Sequence, residues 1–242
     1  MGLLDALDRG LLDLIFPRDC AVTQLPLDQG PFRHLSTEGL AALPRITDPR
    51  CLTCGHPFDG GLEGDRSCPH CAELHPAFDR AICAFRALGP VRHILHRIKY
   101  ERSPYLADDL VAAAATDEPF RRHLAGSILV PVPLHAEKAW ARGYNQSERI
   151  AAGLARHIPG CTVASLLEKH TATESQTRLD RTKRLRNVAK AFRLKRGHAV
   201  DPSRRYIIID DVLTTGATLH ACAAVLRAAG ATSVDAAALA HG

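Results

Sequence analysis

The sequence predicts an α/β fold: a parallel sheet flanked by helices, with a small four-cysteine module ahead of it. Three observations point there. Tyr206-Ile-Ile-Ile209 is a short apolar run without polar alternation, the pattern of a strand buried on both faces of a parallel sheet. From residue 78 onward, short runs of this kind alternate with amphipathic helical patterns, as in a sheet whose strands are joined by crossover helices. Ahead of them stand two Cys-x-x-Cys pairs, Cys51-Leu-Thr-Cys54 and Cys68-Pro-His-Cys71. A length of 242 residues accommodates one good-sized domain and a small one, which we divide at 1–76 and 77–242.

In chain order, Leu3, Leu4, Leu7, Leu11, Leu12 and Ile15 form one stripe of a short amphipathic helix closed by Phe16-Pro17. Packing on its own protein is the main reading, with docking to a membrane or a partner as the alternative. Residues 20–50 are rich in Pro, Gly and short polar side chains and read as a poorly structured connection, with a helical turn near Thr37 to Leu43. Each Cys-x-x-Cys pair bends around a metal ion, and Gly55 gives the knuckle backbone freedom to aim N–H groups at a thiolate. Four thiolates without an oxygen ligand suit one tetrahedral, structural Zn²⁺ on Cys51, Cys54, Cys68 and Cys71. The spacer between the pairs is slightly short, so unpaired or redox cysteines stay open as the alternative. Cys20, Cys83, Cys161 and Cys222 are isolated and read as buried thiols.

Phe78 to Leu88 reads as a strand or hairpin arm. Val91, Ile94, Leu95 and Ile98 then mark a helix whose other face is Arg92, His93, His96, Arg97 and Lys99, and a second helix runs from Tyr105 to Ala115. Ser127 to Pro133 is a strand that Pro131 and Pro133 end at a loop, His135 to Gly143. Asn145 and Glu148 resemble a capping box opening a helix through Ile158, and a strand follows around Val163 to Leu167. Thr171 to Leu185 is polar and basic without an apolar period, which predicts a mobile loop. Structure resumes from Asn187 to Phe192. After the Tyr206 strand, a helix runs from Ala217 to a stop at Gly230, and the last strand is Ser233 to Leu239.

Composition is that of an ordinary globular protein, 46% apolar and 24% charged. No run approaches a membrane span, and the N-terminus carries acids where a signal peptide needs a basic region, so a cytoplasmic protein is expected. The net charge of +5 is concentrated: Lys169 to Arg205 holds twelve Lys/Arg against Glu174, Asp180 and Asp201. Such a surplus fits a polyanionic ligand or nucleic acid, or a solvated basic face.

The functional centre is the stretch after the Tyr206 strand, Asp210-Asp211-Val212-Leu213-Thr214-Thr215-Gly216-Ala217-Thr218. A strand, a small hydroxyl-rich turn and a helix N-terminus together aim backbone N–H groups at an anion. The carboxylates repel a phosphate but suit sugar hydroxyls or a metal riding on one. A ribose 5-phosphate satisfies both halves. No Gly-Lys-Ser/Thr follows, so this is not a nucleotide P-loop.

Ile208-Ile-Asp-Asp-Val-Leu-Thr-Thr-Gly-Ala-Thr-Leu219 resembles the phosphoribosyl-pyrophosphate (PRPP) signature of type I phosphoribosyltransferases. With Val130-Pro-Val-Pro-Leu-His135, Arg142-Gly-Tyr-Asn-Gln146, Arg184-Leu-Arg-Asn-Val188 and the cysteine ribbon, the chain is similar to the ComF family of competence-associated, phosphoribosyltransferase-like proteins. The resemblance implies a type I phosphoribosyltransferase-like fold. It implies that residues 210–218 hold PRPP or another ribose phosphate with Mg²⁺, that His135, Lys138, Arg142 and Gly143 belong to a pyrophosphate loop, and that Gln176, Arg178, Arg181 and Arg184 belong to a closing loop. It also implies transfer of the phosphoribosyl group to an unspecified acceptor and a role in DNA uptake during natural transformation. A non-catalytic single-stranded-DNA-binding factor working with the uptake machinery is the alternative. The family pattern has a further, earlier Cys-x-x-Cys set. Here only Cys20 remains of it, with Thr23 in its partner's place, so one zinc is expected.

Overall fold

The structure, a computed structural model, describes residues 18–28, 30–58, 67–170 and 191–242. The expected helix at 3–15, the mobile loop from Thr171 and the closing-loop residues Gln176, Arg178, Arg181 and Arg184 lie outside the described residues.

In the N-terminal part, α1 is Thr37–Ala41 and α2 is Pro69–Leu74. Then follow β1 (Ala81–Arg86), α3 (Gly89–Tyr100), α4 (Leu106–Ala115), α5 (Glu118–Leu124) and β2 (Ile128–Pro131). Next come α6 (Ala136–Arg142), α7 (Gln146–His157), β3 (Thr162–Val163), β4 (Leu167–Lys169) and β5 (Phe192–Leu194). β6 (Arg205–Leu213), α8 (Ala217–Ala228) and β7 (Ser233–His241) complete the chain. The main sheet has five strands in the order β1-β7-β6-β2-β3, and every pairing is parallel. β4 and β5 form a separate antiparallel pair.

The period-two alternation of β6 divides the core. Ile207 and Ile209 join Val91, Ile94, Leu110 and Ile150 of the helices on one face. Tyr206 and Ile208 join Leu219, Cys222 and Leu226 of α8 on the other. Both layers are apolar because a parallel strand in mid-sheet sees helices on each side. The four paired cysteines belong to the second cluster.

Residues 20–50 are not the loose connection their composition suggested. Cys20, Leu35, Leu43 and Ile46 are buried, and the Asp109 carboxylate of α4 accepts from Arg33 N (3.2 Å) and His34 N (2.5 Å). This segment also covers the edge of β1: Ile46 N donates to Ala84 O at 3.1 Å, and Arg86 N to Pro44 O at 2.8 Å. An uncovered sheet edge is a site of unwanted pairing, and here the chain itself closes it. The thiol of Cys20 accepts from Val22 N and Ser36 N at 3.4 and 3.3 Å, so it retains a knuckle geometry on its own.

Three further readings are corrected. His135 to Gly143 is mostly the helix α6, because Ala-Glu-Lys-Ala-Trp-Ala-Arg is a run of helix-compatible residues that Gly143 ends at φ +82°. Asn145 does cap α7, accepting from Ser147 N at 3.0 Å, but Glu148 does not close a capping box; it accepts from Ser165 Oγ at 3.3 Å. The strand expected around Val163 to Leu167 is two short strands in different sheets. Among the described residues no helix is long and apolar enough to cross a membrane.

Candidate functional site

β6 runs past the point where the acids were expected to end it. It continues through Asp210 and Asp211 to Leu213 because β7 keeps pace, pairing Asp210 with Ala238, Val212 with Ala240 and Leu213 with His241. On its other side β2 stops at Pro131, opposite Ile209, and Val132 N makes the last bond, to Ile209 O at 2.9 Å. The carboxylates therefore stand beside a notch in the sheet, at the carboxyl ends of parallel strands where α/β sheets take ligands.

Strand alternation aims the two acids apart. Asp211, 3% exposed, faces the α3 layer and forms an ion pair with Lys99, whose Nζ lies 2.6 Å from its Oδ2. Asp210 accepts from Ser147 Oγ at the start of α7 and from Asp211 N, both at 2.9 Å. Burial, and then the neighbouring Asp211 carboxylate, pushes Asp210 up to about 7. Lys99 and Ser147 escaped the sequence reading as site residues. Lys99 was visible only as one cation in a polar helix stripe, and Ser147 only as part of Tyr-Asn-Gln-Ser.

A proton is thus taken up at Asp210 in the folded protein between its ordinary value of 3.8 and about 7, which the unfolded chain releases. Stability contributed by this group falls as pH rises through that window. Asp210→Asn is expected to melt like the wild type near pH 4 and several degrees higher at pH 8. Thermal melts across the range check this, and a pH-independent difference would contradict the assignment.

After Leu213 the turn Thr214-Thr215-Gly216 leads into α8. Thr214 and Thr215 are exposed, and Gly216 is the N-cap at φ +74°. A side chain there would be strained, and its Cβ would come within 3.3 Å of Leu74 Cδ2. Ala217 and Thr218 form the first turn of α8, partly exposed, so backbone N–H groups of this helix end face the open side of the turn.

The residues read as a pyrophosphate loop gather across the notch. His135 stands at the N-cap position of α6, without a side-chain capping bond, and bridges in parallel to Lys169 at the end of β4. Lys138 is exposed on α6. Burial, then Lys138, lowers the pKa of Lys169, on which Asp210 also acts, so these groups share one electrostatic neighbourhood. Arg142 lies over the Tyr100 ring at 5.8 Å and donates to Gln146 Oε1. A cleft of about 450 Å³ opens between α6, the start of α7 and the β4–β5 pair, with Lys169 and Lys195 in its wall.

The cysteine set sits on the other flank of the turn. Ligand sulfurs of Cys51, Cys54, Cys68 and Cys71 lie within 4.8 Å of one another and are buried. Cys68 N and Cys54 N approach Cys51 Sγ at 3.2 and 3.5 Å, and Gly55 has φ +72° with Ala81 O 3.2 Å from where its Cβ would be. A compact, buried four-thiol cage with backbone N–H donors fits a structural zinc ion. Cys54, Cys68, Cys71 and Leu74 face Leu213 to Gly216 across a narrow space that His56, His70 and His241 also line.

No family model matches the chain. Among curated proteins it is 28% identical over 226 residues to DNA utilization protein YhgH of Escherichia coli K12, covering 92% of this chain and 96% of that one. It is 26% identical over 206 residues to competence protein F of Haemophilus influenzae, covering 84% and 90%. Among solved structures it is similar to a purine phosphoribosyltransferase from Pyrococcus horikoshii, with a TM-score of 0.31 and 21% identity over 57% of this chain and 74% of that one. It is also similar to a hypoxanthine phosphoribosyltransferase from Staphylococcus aureus, with a TM-score of 0.33 and 11% identity over 59% and 68%. Competence and DNA-utilization proteins thus resemble the chain over 84–92% of its length, and the chain carries a parallel five-stranded sheet and a buried four-cysteine cluster.

Proposed function

We propose that the protein binds PRPP with Mg²⁺ and transfers the phosphoribosyl group to a nitrogenous acceptor in the service of DNA uptake. The observation that carries this is the placement of Asp210 and Asp211 at the end of β6 with the Thr214–Thr218 turn directly behind them at the N-terminus of α8. The carboxylates would accept from ribose hydroxyls. The turn would hold the 5-phosphate through backbone N–H groups and threonine hydroxyls. Lys138 and Arg142 on α6 would face the diphosphate, with Gly143 freeing the backbone there. Bound Mg²⁺ would neutralise diphosphate charge. In the transfer the bond from the anomeric carbon to the diphosphate oxygen breaks, a carbon–nitrogen bond forms, and the acceptor's proton passes to solvent while pyrophosphate leaves. No side chain needs to act as nucleophile, since positioning and stabilisation of the leaving group supply the rate.

Calorimetric titration tests the binding step: one equivalent of PRPP should bind with Mg²⁺, and ribose 5-phosphate should compete. No saturable heat with either ligand would end this reading.

A second reading, that single-stranded DNA lies across the same end of the molecule, is favoured by a specific feature. Trp140 on α6 is 89% exposed and Tyr100 at the end of α3 is 68% exposed, with the Arg142 guanidinium over the Tyr100 ring. Exposed aromatic faces among cations are stacking platforms for bases. Trp140 is the single tryptophan, so selectively excited tryptophan emission reports on it alone. An oligo(dT) strand should quench that fluorescence saturably, and Trp140→Ala should weaken DNA binding roughly five- to a hundredfold, the equivalent of ~1–3 kcal/mol per stacked base. Unquenched fluorescence with undiminished binding would remove Trp140 from the DNA path.

A further inference from the structure

A second cluster of cations lies at the opposite end of the sheet, away from Asp210 and Asp211, and does not depend on the reading above. Arg80 immediately precedes β1, and Arg122 and His123 lie near the end of α5, so all three stand at the amino ends of the strands. With Ile82 and Pro119 they line a cleft of about 290 Å³, and the Asp235 carboxylate beside it is near enough to act on His123. The geometry points to a phosphoryl-anion site here, built from the guanidinium groups of Arg80 and Arg122 with the His123 ring beside them in the cleft wall.

Neither guanidinium is held by a carboxylate or another acceptor among the described residues, which sets both apart from the arginines nearby. Arg205 is committed to Asp235, through Nε at 2.9 Å and Nη2 at 2.7 Å, and Arg121 to Glu118. The other oxygen of Asp235 accepts from the Arg80 main-chain N at 3.1 Å, so the contact between these two residues runs through the backbone and not the guanidinium. That bond, with Ala236 N donating to Arg80 O at 2.9 Å, fixes the Arg80 backbone to the sheet. Arg122 is carried on a helix whose N-cap, Asp117, accepts from Phe120 N at 2.9 Å. Two unpaired guanidinium groups on fixed backbones form a fork that matches phosphate oxygens.

His123 adds an independent sign. Its Nε2 is buried and makes no well-formed hydrogen bond among the described residues, although the ring lies close to the Ala236 backbone. Burial pushes the ring down to about 4, so near neutral pH it offers a hydrogen bond and not a charge. A buried polar atom without a well-formed hydrogen bond calls for a ligand or an ordered water in the cleft. The volume suits a phosphoryl group with part of the molecule bearing it. That molecule is either a free phosphate ester or a nucleic-acid backbone, the chemistry at the arginines being the same.

The test follows the His123 ring resonances of the full-length, zinc-loaded protein by NMR, assigned through His123→Gln. Inorganic phosphate is titrated in one arm and oligo(dT) in the other, each against sodium chloride at equal ionic strength. The ring signals should move saturably with phosphate, and Arg80→Gln/Arg122→Gln should weaken that response at least tenfold. Both arginines are exposed, so melts of the double variant should match the wild type; if they do not, Arg122→Gln alone is read in its place. A response to oligo(dT) at strand concentrations well below those needed for phosphate assigns the site to a nucleic-acid backbone. A response to phosphate alone assigns it to a free ester. Ring signals that no probe moves beyond the chloride control, or that move equally in the variant, would overturn the site.

Discussion

Cys54→Ser is expected to release the zinc ion and, with it, the order of the Thr214–Gly216 turn on the far side of the molecule's cysteine module. Zinc on four thiolates contributes about 10–16 kcal/mol to small modules, far more than local packing can replace. Spacing alone would confine the damage to the module around the four cysteines. The structure extends it. Cys54, Cys68 and Cys71 share a hydrophobic cluster with Leu213 and Leu219, and Leu74 of α2 rests against Gly216. The main chain ties the module to the sheet as well, Ala81 N donating to Thr53 O at 2.7 Å. Elemental analysis should give one zinc per wild-type chain and none in the variant. Hydrogen exchange should accelerate across 67–78 and 213–219 while α3, α4 and α7 keep their protection. Two metals or none in the wild type would remove the zinc assignment. Unchanged exchange at 213–219 would separate the module from the turn.

What the sequence made legible, and what it hid, follows from the range of the forces involved. The core of β6, the Gly216 turn and the start of α8 were readable because apolar runs and glycines act on their immediate neighbours. The end of β6 was not, since adjacent aspartates ordinarily close a strand. Here their cost is met from a distance, by Lys99 on α3, Ser147 on α7 and the alanines of β7. α6 was hidden by the prolines before it, though its own residues favour a helix. The order in residues 20–50 had no periodic signature, because scattered side chains do the burying and Asp109 holds the backbone from 75 residues away. The four-cysteine cage was readable from spacing. Its contact with the turn was not, because no local pattern encodes which face a module presents.

Asp210 and Asp211 carry the prediction that separates a sugar site from a DNA site. A hydrogen bond to a charged group contributes about 1.5–3 kcal/mol, so Asp211→Asn should weaken PRPP binding by roughly ten- to a hundredfold. Deoxyribose lacks the 2-hydroxyl, and removing negative charge does not hinder a polyanion, so single-stranded DNA should bind the Asp210→Asn/Asp211→Asn protein as well as before or slightly better. The structure adds a complication and the means to resolve it. Asp211 is paired with Lys99 at 2.6 Å, and taking away one partner leaves the other's charge in a half-buried place. A loss of PRPP affinity could then reflect a displaced Lys99 instead of a missing acceptor. Lys99→Met/Asp211→Asn removes both charges. Its melting temperature should recover towards the wild type while PRPP affinity stays as low as in Asp211→Asn. Recovery of affinity together with stability would mean that Asp211 only anchors Lys99. PRPP affinity unmoved by the change at both aspartates would mean that this acidic pair does not hold a ribose at all.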